Sequence, residues 1–121
     1  MEILTETDFV RLTNPAVVSE QLLSPHNSTS ARLTITRVTM ETGTTQPRHK
    51  HESSEQIWVA LSGTGELLLA DGATRSFEAG LIARFSDGEI HGIANTGTTP
   101  LIYLSVTSPP INFNFAYGAK T

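Results

Sequence analysis

Residues 47–63, PRHKHESSEQIWVALSG, place two of the chain's histidines one residue apart, ahead of a short apolar run. Side chains at positions i and i+2 of a β-strand point to the same face. On an extended backbone, His49 and His51 can therefore direct both imidazoles at one point, where a metal ion can bind at about 2.1 Å. Glu55 and Gln56 follow at the start of the apolar run, and either of them can supply an oxygen ligand.

A third imidazole can come from His91, which follows a tight turn at residues 86–88. Three histidines and one oxygen donor suit Fe, Mn, Ni, Co, Cu or Zn, and an octahedral site of this kind keeps open positions for water or substrate. The alternative is that the pair is an ordinary surface feature, because short motifs often match by chance. His26, in the polar stretch SPHNSTS, fits that alternative and is left out of the site.

The totals describe one soluble domain. At 121 residues, with 38% hydrophobic and 17% charged residues, the chain can bury one core. A net charge of −4 without a basic patch argues against nucleic acid as a partner. The absence of cysteine excludes disulfides and thiolate metal ligands. No signal peptide or span of roughly 20 apolar residues is evident, so we expect a cytoplasmic protein without a membrane partner.

Short threonine-rich apolar runs separated by turn residues predict an all-β fold. Strands are expected at 31–40, 56–63, 65–80, 81–85, 91–95 and 100–107. The run 65–80 is predicted to be a hairpin turning at Asp71-Gly72, because this dipeptide readily adopts the positive φ angles of a two-residue turn. Strands recurring about every 8–12 residues are typical of a sandwich or closed barrel.

The chain divides into three segments around this barrel. Residues 1–30 are expected to form an N-terminal arm, in which 16–23 is either a brief helix or an edge strand. Residues 31–108 form the barrel. Residues 109–121 form a tail whose aromatic side chains are predicted to pack across the barrel, namely Phe113, Phe115 and Tyr117.

The spacing of glycines and histidines resembles the two motifs of the cupin family, G-x5-H-x-H-x3,4-E-x6-G and G-x5-P-x-G-x2-H-x3-N. The first motif is matched by Gly43, His49, His51 and Gly63. The second is matched, with serine at the proline position, by Gly80, Ser86, Gly88, His91 and Asn95. The resemblance implies a double-stranded β-helix, or jelly-roll, barrel. It also implies one divalent transition metal per chain (Fe, Mn, Ni, Cu or Zn), bound by the three histidines.

The chain departs from the family motif at the acidic ligand. Gln56 satisfies the spacing both from His51 and to Gly63, whereas Glu55 satisfies only the first. In a regular strand Gln56 shares its face with Trp58 and Glu55 lies on the other face, although a bulge can reverse this. Gln56 is therefore predicted as the fourth ligand, with Glu55 as the alternative. Glutamine leaves the full charge of the metal available to anionic ligands, whereas glutamate better supports a higher-valent metal.

Three further residues are predicted to be catalytic. Glu55 is the one clear general base near the motifs, Trp58 is a candidate wall of the substrate pocket, and Tyr103 is a candidate hydrogen-bond donor. Both aromatic residues can equally be core residues. Three arginines can bind a substrate carboxylate or remain solvated surface charges, namely Arg37, Arg48 and Arg84.

The resemblance implies an enzyme that holds a small oxygenated molecule bidentately at the metal, for dioxygenation or for isomerisation or elimination. Cupins with a glutamine ligand include enzymes that linearise unsaturated uronates, but their C-terminal acid and arginine have no match here. The alternative is a module that binds or senses a metal-bound small molecule without turnover. Cupins of this size often form homodimers, and VVSEQLL (17–23) is the segment expected to add a strand to a partner's sheet.

Overall fold

The computed structural model describes residues 1–111, in which β-strands account for nearly all regular structure. The ten strands of this part are β1 (Val10–Asn14), β2 (Val17–Leu23), β3 (Thr34–Met40), β4 (Thr45–His49), β5 (Glu55–Ser62), β6 (Thr64–Leu69), β7 (Thr74–Glu78), β8 (Ile82–Phe85), β9 (His91–Ala94) and β10 (Leu101–Ser108). Two single 3-10 turns lie at Glu6–Asp8 and Ala70–Gly72. No helix in residues 1–111 has the length and hydrophobicity to cross a bilayer. The aromatic tail residues Phe113, Phe115 and Tyr117 lie outside the described residues.

The strands form two antiparallel sheets with a shared core. One sheet has six strands in the order β1-β2-β3-β10-β5-β8, and the other has four in the order β4-β9-β6-β7. Alternate residues of β3 and β10 are buried, as expected for strands with one face on a core. The apolar residues with least exposure are Met40, Phe77, Ile93 and Leu101. The expected all-β double-stranded β-helix is therefore confirmed.

The hairpin expected within residues 65–80 is formed by β6 and β7. Its turn contains Asp71 at φ 58° and Gly72 at φ 74°, both in the left-handed region. Two consecutive positive φ angles match the right-handed twist of the flanking strands, which is why Asp-Gly is favoured at this position.

The N-terminal segment differs from expectation. Residues 17–23 form a strand and not a helix, and this strand is internal because β2 pairs with β1 on one side and β3 on the other. Its backbone donors and acceptors are thus already used within the chain. The prediction that this segment adds to a partner's sheet is therefore wrong. Among residues 1–111, the edge strands of the six-stranded sheet are β1 and β8.

Candidate metal centre

The first two histidines of the site meet where two strand ends are paired. His49 ends β4 and His91 begins β9, and the two residues are direct partners in the antiparallel ladder. The strands are closely apposed beside them, since a Cβ on Gly92 would lie 2.7 Å from the backbone oxygen of Gln46. Glycine at position 92 therefore allows β4 to bring His49 against His91.

His51 reaches the site from a loop and not from the strand. β4 ends at His49, and the chain then turns toward β5. The backbone oxygen of His51 accepts a hydrogen bond of 2.7 Å from the N–H of Gly88, in the turn that precedes His91. The assumption that His49 and His51 share a strand face was thus wrong, although the loop still brings their rings together.

The three imidazoles form one group. Ring centroids are 5.0 Å apart for His49 and His51, 4.5 Å for His49 and His91, and 5.4 Å for His51 and His91. One nitrogen from each ring lies within 4.8 Å of the others. Among residues 1–111, these three side chains could hold a metal ion.

Backbone carbonyls set the tautomers of two of the rings. The Nδ1 atom of His49 lies 2.9 Å from the oxygen of Pro47, and Nδ1 of His91 lies 2.9 Å from the oxygen of Glu89. A carbonyl oxygen only accepts, so each neutral ring carries its proton on Nδ1 and has a lone pair on Nε2. This arrangement is typical of histidines that bind metals through Nε2.

Gln56 presents its carbonyl oxygen to the same point. The indole N–H of Trp58 donates to Oε1 of Gln56 at 3.2 Å, and the amide of Gln56 donates to the hydroxyl of Thr107 at 3.0 Å. Because an indole N–H can only donate, the Gln56 atom that faces it must be the oxygen. That oxygen lies 3.0 Å from Nε2 of His91.

The donor set fits a cation. In the neutral tautomer, Nε2 of His91 and Oε1 of Gln56 are two lone-pair atoms 3.0 Å apart without a hydrogen between them. Two ligands at about 2.1 Å from an octahedral metal, at right angles, are about 3.0 Å apart. The His91–Gln56 pair therefore has the separation of two adjacent metal ligands.

Two of the imidazoles are held in the form that binds metal. The pKa of His91 is lowered to about 4, chiefly by burial and in part by the neighbouring His49 and His51, although the carbonyl and the carboxylate of Glu89 act in the opposite direction. Burial also lowers the pKa of His51, with His49 contributing. At neutral pH these rings are uncharged, so a metal ion does not have to displace protons from them.

The metal-free protein should lose stability as the pH falls from about 6.5 to about 4. The pKa of His91 is near 6.5 in the unfolded chain and about 4 in the folded protein, so between these pH values the unfolded state binds more protons. The free energy of unfolding therefore rises with pH across this window. The full shift corresponds to about 3 kcal/mol, and partial solvent access reduces the expected loss to about 1–2 kcal/mol. Urea unfolding at pH 7 and 4.5 measures this difference in the free energy of unfolding.

Two variants test its origin. The His91→Gln variant should show a smaller difference between the two pH values, whereas His26→Gln should show the same difference as the wild type. The same pH dependence in all three proteins would contradict the assignment to His91.

The structure separates Glu55 from the histidines. Residues of β5 alternate, with Gln56, Trp58 and Ala60 buried on the inner face. Glu55 lies on the outer face, where its carboxylate accepts a hydrogen bond of 2.6 Å from Nε of Arg84 on β8. Because the strand is regular here, its alternation places the side chain of Gln56 on the inner face with the imidazoles and that of Glu55 on the opposite face. Glu55 therefore has no contact through which to act as a base at this site.

The candidate arginines also lie away from the site. Arg37 pairs with Glu20 at 3.1 Å, Arg48 donates to backbone carbonyls at the β6–β7 turn, and Arg84 pairs with Glu55. None of these three lines the cavity that opens beside the histidines. A substrate carboxylate in this cavity would have to be bound by other groups.

This cavity has a volume of about 560 Å³, and its wall includes His49, His51 and Gln56. Trp58 and Tyr103 also line it, and their rings are 4.8 Å apart within the core, so each is both a packing residue and a wall residue. The Tyr103 hydroxyl lies 3.4 Å from the side-chain oxygen of Gln46.

The cavity contains little charge. Apart from histidines, the one ionisable lysine, arginine, aspartate or glutamate among its described lining residues is Lys50, which pairs with Glu52 at 3.0 Å. The wall otherwise consists of apolar, hydroxyl and amide groups. A charged ligand group would therefore be favoured at the histidine end.

Sequence reasoning missed the role of Thr107. Its hydroxyl accepts from the Gln56 amide because Thr107 and Gln56 are direct partners in the β5–β10 ladder. Burial of Thr107 could be expected from the alternation of its strand. Its pairing with a residue 51 positions earlier could not, because no local signal specifies that register.

Fold and site together define a β-barrel with a histidine-rich centre at the mouth of an internal cavity. The family model for the cupin domain matches residues 36–107, more than half of the chain, and the protein therefore belongs to the cupin family. No curated protein matches the sequence.

Solved structures share the fold. A predicted oxalate decarboxylase from Thermotoga maritima is 26% identical, with a TM-score of 0.74 over 90% of this chain and 100% of the other. Ectoine synthase from P. lautus is 15% identical, with a TM-score of 0.79 over 98% and 85%. The cupin domain of an XRE family transcriptional regulator from Enterobacter cloacae is 18% identical, with a TM-score of 0.67 over 79% and 99%. The similar structures thus include enzymes and a regulator domain.

Proposed function

We propose that this cupin is a mononuclear metal enzyme that acts on a small oxygenated anion. The metal is one of Fe, Mn, Ni, Cu or Zn, and its ligands are His49, His51, His91 and the carbonyl oxygen of Gln56. The observation that carries the proposal is the 3.0 Å approach of two lone-pair atoms, Nε2 of His91 and Oε1 of Gln56. The lowered pKa of His91 and the carbonyl-fixed tautomers of His49 and His91 support it.

The charge of the site indicates the reaction class. Four neutral donors leave the charge of a divalent metal uncompensated, and the described cavity wall has no carboxylate. A metal held there supplies Lewis acidity to a bound carboxylate or enolate oxygen. Higher oxidation states are better supported by an anionic ligand, so we propose isomerisation or elimination over dioxygenation. A lyase reaction on a small carboxylate also fits the name of the Thermotoga relative, a predicted oxalate decarboxylase.

The residues around the metal have separate tasks in this proposal. Trp58 and Thr107 hold the Gln56 carbonyl toward the metal. The Tyr103 hydroxyl, in the cavity wall, is the candidate acid–base group that takes up the proton lost from the substrate and returns it.

The test is proton exchange without oxygen. Metal-loaded protein is incubated in D2O with a panel of 2-oxo and 3-oxo acids, and exchange or elimination is followed by NMR under argon and in air. We expect metal-dependent exchange under argon that Tyr103→Phe slows by about 100-fold, the scale of general acid–base catalysis. Turnover that requires oxygen would contradict the reaction class.

A binding or sensing module is the second candidate. The observation that favours it is the outward position of Glu55, which leaves no carboxylate base in the described cavity wall. The fold of a transcriptional regulator's domain is also similar. Tight binding of an acid from the panel, without exchange under any atmosphere, would favour this candidate.

The proposed macromolecular partner is a second copy of this chain. Within residues 1–111, β8 is an edge strand, and it carries the exposed apolar residue Ile82, with Leu81 beside it. Edge strands with exposed apolar residues favour strand addition, so we propose a homodimer in the cytoplasm. Light scattering that gives the monomer mass at micromolar concentrations would contradict the dimer.

Removing the Thr107 hydroxyl should weaken metal binding. Thr107→Val keeps the shape of the side chain but leaves the Gln56 amide without its acceptor, so the carbonyl is less firmly directed at the metal. We expect metal affinity to fall about 10-fold, the lower range for residues that orient ligands. Competition with a chromophoric chelator measures it. Thr34→Val, at the adjacent buried position of β3, is the matched control and should not change affinity.

A further inference from the structure

Phe85, the last residue of β8, stacks on the ring of His91. The two ring centroids are 4.4 Å apart, and the ring planes differ by 12°. Carbon atoms in contact are about 3.5 Å apart, so this centroid distance means that the rings are offset, an arrangement that aromatic pairs prefer. Phe85 and His91 are 3% and 2% exposed. The imidazole of His91 therefore lies against a flat, buried surface.

Two further contacts restrict the orientation of the His91 ring. The indole of Trp58 lies at 85° to the imidazole with the centroids 5.3 Å apart, and at 77° to the ring of Phe85 with the centroids 4.9 Å apart. The Nδ1 atom of His91 is hydrogen-bonded to the oxygen of Glu89. The stack fixes the plane of the imidazole, and this hydrogen bond fixes its direction within the plane. Together they direct Nε2 of His91 toward Oε1 of Gln56, 3.0 Å away.

The backbone places Phe85 beside the fourth proposed ligand as well. Phe85 is the direct partner of Gln56 in the β5–β8 ladder, on the side opposite Thr107. The Cα atoms of such partners are about 4.5–5.5 Å apart. The ring that supports His91 thus belongs to the residue next to Gln56, and the separation of these two ligands depends on it.

Phe85 is placed to act on His91 and not on a substrate, because it does not line the cavity. The lone pair of Nε2 lies in the plane of the imidazole, so the tilt of the ring determines where that lone pair points. Coordination draws positive charge onto the imidazole, and the negative face of an aromatic ring favours positive charge. An aliphatic side chain at position 85 would provide neither the flat surface nor this attraction.

We propose that Phe85 is a positioning residue of the metal centre, whose ring fixes the tilt of the His91 imidazole so that Nε2 is directed at the metal. This inference rests on the proposed metal centre. It adds a determinant of metal affinity outside the ligand set, at one of the five positions between Gly80 and Ser86 that the family motif leaves unspecified.

The first test is the Zn²⁺ affinity of Phe85 variants, measured by competition with a chromophoric chelator. Phe85→Leu removes the flat ring, and we expect the affinity to fall about 3- to 10-fold, the scale of one aromatic contact. Phe85→Met also lacks a ring but fills core space flexibly, and it should show the same loss. Phe85→Tyr keeps the ring and should keep the wild-type affinity.

Phe77→Leu is the matched control. Phe77 is 1% exposed, and its ring packs in the core against Trp58 and Tyr103, with centroids 6.3 and 6.1 Å away. Its replacement should lower the free energy of unfolding, as the replacement of Phe85 should, because both variants lose buried packing. It should leave the Zn²⁺ affinity unchanged.

NMR of the Co²⁺-loaded protein tests the orientation of the ring directly. The Nδ1–H protons of His49 and His91 are hydrogen-bonded to carbonyls, and bound Co²⁺ displaces their signals by an amount that depends on the orientation of each ring. Each signal is assigned by single replacement of its histidine with glutamine. Phe85→Leu should move the His91 signal and leave the His49 signal in place.

The outcomes separate this inference from the proposed metal centre. Wild-type affinity in Phe85→Leu and Phe85→Met, or a His91 signal that does not move, would overturn the role of Phe85 while leaving the metal centre. An equal loss of affinity in Phe77→Leu would also overturn it, because general packing would then explain the loss. Failure of the wild-type protein to bind any of the metals would overturn the metal centre, and this inference with it.

Discussion

Replacing His51 with alanine is expected to lower the affinity for Zn²⁺ or Ni²⁺ by more than about 100-fold. Residues that only orient a ligand contribute about 10- to 100-fold, and loss of a ligand should exceed that. The His51 ring is one of three whose donor atoms lie within 4.8 Å of one another, so its removal leaves two imidazoles and one amide oxygen. Competition titration with a chromophoric chelator measures the change.

Two variants make this prediction specific. Glu55→Gln should keep wild-type affinity, because the Glu55 carboxylate faces Arg84 on the outer surface. Gln56→Leu should lose affinity although it is similar in size. The reverse order, with Glu55→Gln weakened and Gln56→Leu unchanged, would show that the fourth ligand has been assigned to the wrong residue.

The Gly63→Ala substitution is expected to destabilise the fold by about 2–4 kcal/mol. Gly63 joins β5 to β6 at φ 84°, and a Cβ there would lie 2.5 Å from the backbone oxygen of Pro100 and 3.0 Å from Cα of Leu101. A left-handed alanine costs about 1 kcal/mol, and the contact with backbone adds about 1–3 kcal/mol because neither strand can move freely. Chemical unfolding gives the difference.

Gly72→Ala provides the matched comparison. Gly72 also has a positive φ, 74°, but a Cβ there would meet no atom within 4 Å. Only the conformational cost of about 1 kcal/mol is expected. Equal losses for the two variants would mean that the close approach to Pro100 has no energetic consequence.

Local signals were enough for most of the barrel and for placing Gln56, and not Glu55, on the inner face of β5. The alternation of β5 puts Gln56 and Trp58 on one face whatever its neighbours are, so this face could be predicted from residues 55–62 alone. The Asp71-Gly72 turn is equally local. The histidine spacing, together with the motif glycines, indicated the three imidazoles that the fold brings together.

The pairing of strands that are distant in the sequence could not be predicted from local signals. β4 was not predicted because TQPRH is mostly exposed and has no apolar alternation. The internal position of β2 depends on β1 folding against it, and the Glu55–Arg84 and Gln56–Thr107 contacts depend on ladder registers across the sheet. Such registers are determined by packing of the whole core.

The most direct test of the central claim is the metal content of the untagged protein. Elemental analysis after incubation with Fe²⁺, Mn²⁺, Ni²⁺, Cu²⁺ or Zn²⁺ and removal of excess ion should give about one metal per chain for at least one of these ions. Metal content near zero with all five would contradict a site built from His49, His51, His91 and Gln56.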